Sequence, residues 1–343
     1  MKIPWFGNTR EKQKRGFFMC TAISYKTKDH YFGRNLDLEY SYAETVTVTP
    51  RNYPFRFRKE RDFGKHYALI GMAYVQDNYP LYYDATNEKG LSMAGLSFPG
   101  NAVYLGEKSD KHNVTPFELI PWVLGQCKDV AEARKLLMST NLVKIPYSKE
   151  LPLSPLHFMV SDTNASIVVE PVEEGLRITE NPVKVLTNNP PFAFQMYQLN
   201  NYMTLSKKEP MNRCAKELPM EVYSRGMGAL GLPGDLSSPS RFVRAAFTKW
   251  NSVDGEDEAE SVNQFFHILG SVEQQKGCVQ LEKGEYEYTV YSSCCNTDKG
   301  IYYYRTYENS RISAVDMHRE NLDGKTLVSY PIRRTWDIKW EQE

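Results

Sequence analysis

"MCTAISYKTKDHYFGRNLDLEYSY", residues 19–42, holds the decision about the fold. Two runs rich in Ile, Tyr and Phe flank the turn-prone Lys28-Asp29-His30, which predicts a hairpin of two strands. The first strand opens on Cys20, directly after a methionine, and that cysteine has three readings. A small buried thiol is the ordinary one. A lipid attachment point after a cleaved signal needs an apolar core of about 7–15 residues. Lys2, Arg10, Glu11, Lys12, Lys14 and Arg15 occupy that space, so this reading fails. The third is a nucleophile at the head of a mature chain.

In the third reading the α-amine of Cys20, with a reference pKa of about 7.7–8, takes the proton from its own thiol. Nucleophile and base then belong to one residue, and no histidine base is required. The six histidines (30, 66, 112, 157, 267 and 318) are scattered and form no Cys/His motif. The reading requires the active chain to start at Cys20 after removal of Met19. Lys14-Arg15-Gly16 can be encoded by AAR-AGG-GGN, which resembles a bacterial ribosome-binding site just upstream of a Met19 start codon. Residues 1–18 are therefore expected to be a mis-called or removed extension, and residues 19–343 a single domain.

Working outward, "ETVTVTPRNYPFRFR" alternates Val and Thr as a strand with one buried face does. "DATNEKGLSMAGLSF" sets a Gly-containing turn before another extended run. Thr115, Pro116 and Glu118 form a capping-box signature ahead of one helix, and Asp129 with Glu132 repeats it. Further helices are predicted to begin at Ser238-Pro239 and at Ser261, each with apolar residues at three- and four-residue spacing. Strands are predicted in "LHFMVSD", "ASIVVEPV", "PVKVLTNN", "YEYTVYSSCC" and "GIYYYRTYE". This order fits a layered α+β protein with helices on an antiparallel sheet system. The acidic run at 254–260 reads as a solvated loop.

Composition narrows the function classes. Lys plus Arg equals Asp plus Glu at 42 each, so the basic excess of a nucleic-acid binder is missing. No stretch approaches the roughly 18 apolar residues of a membrane span. Cys20, Cys127, Cys214, Cys278, Cys294 and Cys295 make no C-x-x-C, and with no H-E-x-x-H no zinc site is expected. Reduced thiols in a cytoplasmic protein are the expectation.

Several blocks in order resemble the choloylglycine hydrolase and penicillin V acylase group of N-terminal nucleophile hydrolases, and within it the conjugated bile salt hydrolases. They are the opening stretch, "VTPRNYPF", "YYDATNEKGLSMAGL", "LTNNP", "GLPGDLSS" with "SRFVRAAF", "QFFHILGSVEQQKG", and "YEYTVYSSCCN" with "DKGIYYYRTYEN". The resemblance runs from Met19 almost to the C-terminus. It implies a four-layer αββα sandwich, a cytoplasmic homotetramer, and cleavage of glycine- or taurine-conjugated bile salts without metal or organic cofactor. Penicillin V acylase or a broader N-acyl amidase is the alternative, because loops rather than catalytic residues decide the acyl group.

Carried over to this chain, the resemblance makes Cys20 the nucleophile and Arg34 and Asp37 its charged partners. Asn188 becomes an oxyanion donor and Arg241 a further site arginine. A guanidinium near sulfur favours thiolate, and a carboxylate can orient the amine. Arg34 and Asp37 fall on opposite faces of a regular strand, so convergence is expected to need a bend, with Gly33 as its source. Leu36 is expected to wall the acyl pocket. Ser97 stands where bile salt hydrolases usually carry asparagine; its backbone N–H remains an oxyanion donor, but the carboxamide that helps position the conjugate is lost.

Overall fold

The opening stretch forms a hairpin, β1 (Cys20–Lys26) and β2 (His30–Leu38), in which every residue but Lys26 is buried. Strands buried on both faces belong inside a layered structure rather than at its surface. The computed structural model describes residues 19–281 and 284–342, and the expectation about residues 1–18 lies outside them.

The chain continues through β3 (Thr45–Thr49), β4 (Leu69–Gln76), β5 (Tyr79–Asn87) and β6 (Ser92–Ser97). Next come β7 (His112–Val114), the helices α1 (Leu119–Leu124) and α2 (Val130–Met138), and β8 (Thr140–Leu142). Strands β9 (Leu156–Ser161), β10 (Ser166–Val172), β11 (Gly175–Glu180) and β12 (Val185–Leu186) lead to α3 (Phe192–Gln198), α4 (Ser238–Asn251) and α5 (Glu258–Gly270). The last strands are β13 (Val279–Gln280), β14 (Tyr286–Asn296), β15 (Ile301–Thr306), β16 (Ser313–Asp316) and β17 (Val328–Pro331).

One sheet has the order β12-β1-β2-β14-β15-β16, with β13 beside β14, and the other β11-β10-β9-β6-β5-β4-β3-β17. Helices α4 and α5 pack on the first sheet, α1 and α2 on the second. Alternation along the strands splits the apolar residues between two cores. Leu36, Val46, Ile70 and Leu96 share one with Phe242, Phe265 and Ile268 of the helices. Met93, Phe158 and Val169 share the other with Leu119, Val123 and Leu137. Each such side chain taken from water contributes roughly 1.5–3 kcal/mol. The order helix, sheet, sheet, helix is the expected αββα sandwich.

Several local expectations are corrected. Helix α5 begins three residues before Ser261, capped by Asp257, whose side chain accepts the Glu260 N–H. The acidic run is thus half helix, its carboxylates favoured at the positive N-terminal end. Glu258 also reaches Asn296, Lys299 and Tyr303. Helix α4 starts at Ser238 as expected, with Ser237 as its N-cap. Ahead of α1 the expected capping box is present at Thr115 and Glu118, and Glu118 accepts the Thr115 N–H at 3.0 Å. The strand in "TVTVTPRNYPFRFR" stops at Thr49, where Pro50 removes a ladder donor. Beyond it Tyr53, Phe55 and Phe57 pack as an aromatic cluster.

Gly33 has a different task from the one expected. Its register with β1 is unbroken, from Cys20 opposite Leu36 to Lys26 opposite His30. A Cβ at Gly33 would stand 2.0 Å from the Ser293 carbonyl oxygen, so the glycine permits close approach of β14. The irregularity lies on β14, between Thr289 and Tyr291.

Candidate active site

Cys20 opens β1 and is 2% exposed. Its cross-strand partner is Leu36, and directly opposed residues share a face, so the apolar side chain expected at the acyl group stands beside the sulfur-bearing residue. Thr21 and its partner Asn35 take the other face, where Asn35 Nδ2 donates to the Leu269 carbonyl in α5.

Arg34 follows the first face. Its Nη1 donates to the main-chain carbonyls of Gly95 at 2.6 Å and Tyr83 at 3.0 Å, both in the second sheet. Asp37 follows the second face. It accepts from Thr289 Oγ1 at 2.6 Å and Gln274 Nε2 at 3.4 Å, and lies 4.0 Å from Arg241 Nη1. The two residues therefore keep the opposite faces that alternation gives them and flank Cys20 from both sides of the sheet. No bend at Gly33 brings them together.

Arg241, in the first turns of α4, closes the cluster. Nη1 donates to the Cys20 carbonyl and to Thr21 Oγ1, each at 2.6 Å, and Nη2 to Asn188 Oδ1 at 2.8 Å. A cation at a helix start opposes the helix dipole, so these bonds outweigh an unfavourable placement. Asn188 Oδ1 also accepts the Cys20 N–H at 2.7 Å. Two donors converging on one atom fix which end of the amide is oxygen. Nδ2 consequently points to Ser97, whose carbonyl it meets at 2.8 Å. The Asn188 backbone is held by Ser238 Oγ on its N–H and by Gln195 Nε2 on its carbonyl. Ser97 Oγ is buried, with no hydrogen-bond partner among the described residues.

Cys20, Leu36, Arg34, Asp37, Ser97, Asn188 and Arg241 are thus assembled in one region from β1, β2, β6, the segment after β12, and α4. The acceptor for the Cys20 peptide nitrogen is Asn188, while Asp37 pairs its charge with Arg241. The sequence reading missed Thr21, Thr289, Gln274 and Glu287. Thr21 could have been found as the neighbour of Cys20 on the opposite face; the others are brought in by pairings remote in sequence.

Burial pushes the Cys20 thiol up; Arg34 opposes this, while Asp37 and Glu287 add to it. Burial also pushes Asp37 up, to about 6, against the pull of Arg241, Thr289 and Arg34. Glu287 accepts the Met19 N–H and is pushed up to about 8, by burial first and then by Asp37. Burial lowers Arg241. In this chain the Cys20 nitrogen belongs to a peptide bond with Met19. Among the described residues no group of three or more His, Cys, Asp or Glu could hold a metal ion, and no helix is long and apolar enough to cross a membrane.

A cysteine beside a buried guanidinium and an oriented carboxamide has the groups that acyl transfer uses, and comparison with known proteins points to the same class of reaction. Residues 20–330 match the model of linear amide C–N hydrolases of the choloylglycine hydrolase family. A bile salt hydrolase/transferase of Lactiplantibacillus plantarum is 58% identical over 92% of this chain and 97% of its own. One from Clostridium perfringens is 38% identical over 93% and 99%. The crystal structure of a mutant conjugated bile acid hydrolase from C. perfringens superposes with a TM-score of 0.87 at 37% identity, covering 94% of this chain and 99% of that one. The penicillin V acylase of Agrobacterium tumefaciens shares the fold, with a TM-score of 0.71 at 17% identity and coverage of 91% and 90%. With most of its length matched and its site residues gathered around Cys20, the chain belongs to the choloylglycine hydrolase family of linear amide C–N hydrolases.

Proposed function

We propose that the protein cleaves the amide bond of glycine- and taurine-conjugated bile salts, with Cys20 as an N-terminal nucleophile in a chain from which Met19 and everything before it has been removed. The convergence on Cys20 carries the reading: its nitrogen on Asn188, its carbonyl on Arg241, and Leu36 across the strand pair.

The freed α-amine takes the thiol proton, and the sulfur attacks the carbonyl that joins the steroid acid to its amino acid. Arg34 favours the thiolate, Asp37 is the counter-charge for the amine once it is cationic, and Leu36 contacts the acyl group. The Asn188 amide and the Ser97 N–H bind the oxyanion; a preorganised donor of this kind is worth about 3 kcal/mol. The amine then protonates the departing glycine or taurine, leaving a thioester that water hydrolyses.

Deconjugation is tested by comparing release of glycine from glycocholate and taurine from taurocholate with release of phenoxyacetate from penicillin V, alongside the intact mass of the active protein. Dominant turnover of penicillin V points to the acylase alternative. A mature chain that retains Met1 or Met19 removes the N-terminal nucleophile. Replacing Ser97 by Asn returns a carboxamide to the conjugate's side of the site, and the taurine-to-glycine rate ratio is expected to change by at least about threefold, since small contact differences set such ratios. An unchanged ratio in that assay separates Ser97 from conjugate recognition.

Asp37 adds a second acid limb below the one set by the α-amine itself, whose reference pKa is about 7.7–8. It must be ionised to face a cationic amine, so the fall of kcat/KM is expected to steepen as pH drops through about 6, and Asp37→Asn to lose that second limb along with most of the rate. Stability moves the other way. A carboxyl raised from 3.8 to about 6 stabilises the fold fully below 3.8, and that contribution is lost as pH rises through 6. A pH–rate profile beside a pH–Tm profile checks both.

The same reading has the enzyme working in the cytoplasm as a homotetramer. Six free thiols suit a reducing compartment. Between α3 and α4, Met203, Met211, Tyr223 and Leu230 are exposed, apolar surface of the kind that partner chains cover.

A further inference from the structure

We infer that His157 is a positioning residue that sets the two oxyanion donors relative to each other, an inference that rests on the roles proposed above for Asn188 and Ser97. The imidazole is fully buried in β9, opposite Leu96 of β6 and so beside Ser97. Its ring lies flat on the ring of Phe98, with centroids 4.3 Å apart and planes 4° from parallel. Its Nε2 is 2.8 Å from the carbonyl oxygen of Thr187, the residue before Asn188. One side chain therefore touches the residue after one donor and the residue before the other.

The bonding fixes the tautomer. A carbonyl oxygen only accepts, so Nε2 carries the proton. Nδ1 has no hydrogen-bond partner among the described residues and lies 3.7 Å from Glu170 Oε1, which accepts the N–H of Phe192 at the start of α3. Leaving a buried ring nitrogen unpaired is unfavourable. A phenylalanine would fill the same space against Phe98 without that penalty, so the Thr187 bond is what distinguishes the imidazole. Ser238 and Gln195 already hold the N–H and carbonyl of Asn188 from the helical side. His157 supplies the fixing contact from the other sheet, which carries Ser97.

Oxyanion donors act through fixed placement, so disturbing His157 changes the transition state more than the bound substrate. His157→Phe keeps the ring and removes the Thr187 bond; His157→Gln keeps a donor and removes the stack. For both, kcat with glycocholate is expected to fall about 10- to 100-fold, with KM within about threefold of the parent. Alkylation of Cys20 by iodoacetamide stays unchanged. A bile-acid aldehyde, whose hemithioacetal with Cys20 puts an oxygen in the hole, binds at least about tenfold more weakly, while inhibition by free bile acid is retained. An unchanged kcat, or parallel loss of kcat, alkylation and free-acid binding, overturns the inference. If both variants precipitate, Phe98→Leu removes the stacking partner and carries the same expectation. Full glycocholate hydrolysis by Cys20→Ala marks failure of the nucleophile reading itself and takes this inference with it.

Discussion

Cys20→Ser is expected to lower amide hydrolysis by at least about a thousandfold while leaving the fold intact, because in this scheme the nucleophile and its base are one residue. An α-amine with a pKa of about 7.7–8 can take a proton from a thiol, whose reference value is near 8.5, but a serine hydroxyl is far less acidic. Arg34 lowers the thiol against the burial that raises it, and that help is matched to a sulfur anion. The substitution removes one sulfur from a small buried residue, so Tm should change little. Hydrolysis of glycocholate at the parent rate would sink the mechanism, and mass spectrometry of the parent after brief mixing should show the thioester on Cys20.

Arg241→Leu is expected to have the next largest effect, on rate and stability together. Arg241 is fully buried and holds the Cys20 carbonyl, Thr21 and Asn188 Oδ1. Without it Asn188 loses one of the two donors that orient its amide, and Asp37 loses the cation 4.0 Å away. Breaking a buried ion pair from one side destabilises by about 3–5 kcal/mol. Loss of an oriented oxyanion donor lowers kcat by about 100- to 1000-fold. Urea unfolding and steady-state kinetics measure the two parts. Arg241→Lys should fall between, since an ammonium lacks the planar guanidinium that reaches four acceptors, the Leu236 carbonyl included. A leucine variant with parent kcat would remove Arg241 from the site.

Much of the layered fold was legible because its elements are signalled locally. The apolar runs of β1, β2, β9, β10 and β14 and the capping residue Asp129 could be read in place. Strand β4, "LIGMAYVQ", went unread because a short apolar run has no period to separate strand from helix. The candidate site residues came from the family's motifs, and their geometry was not legible. Alternation did place Arg34 and Asp37 on opposite faces; the mistake lay in assuming that both had to reach Cys20 from one side. Asp37 acts next to Arg241, which is distant in sequence, and no local pattern records that pairing. Gly33 was misread for a related reason, because a glycine that bends a strand and one that admits a neighbour look alike in sequence. Thr289, Gln274 and His157 are ordinary by type; strand register brings Thr289 and His157 to the site, and Gln274 arrives on the loop after α5, where its N–H donates to Thr289.

Arg34 bonds to two carbonyls of the opposite sheet, and across the same interior Tyr291 and Tyr302 bond to the buried Asp84 of β5. These links resist shear. For one sheet to slide over the other, a guanidinium and a carboxylate would both have to give up bonds that no solvent is there to replace. The hydrolase can therefore alter its choice of acyl group by remodelling the segments outside the sheets, while the spacing around the sulfur stays mechanically locked.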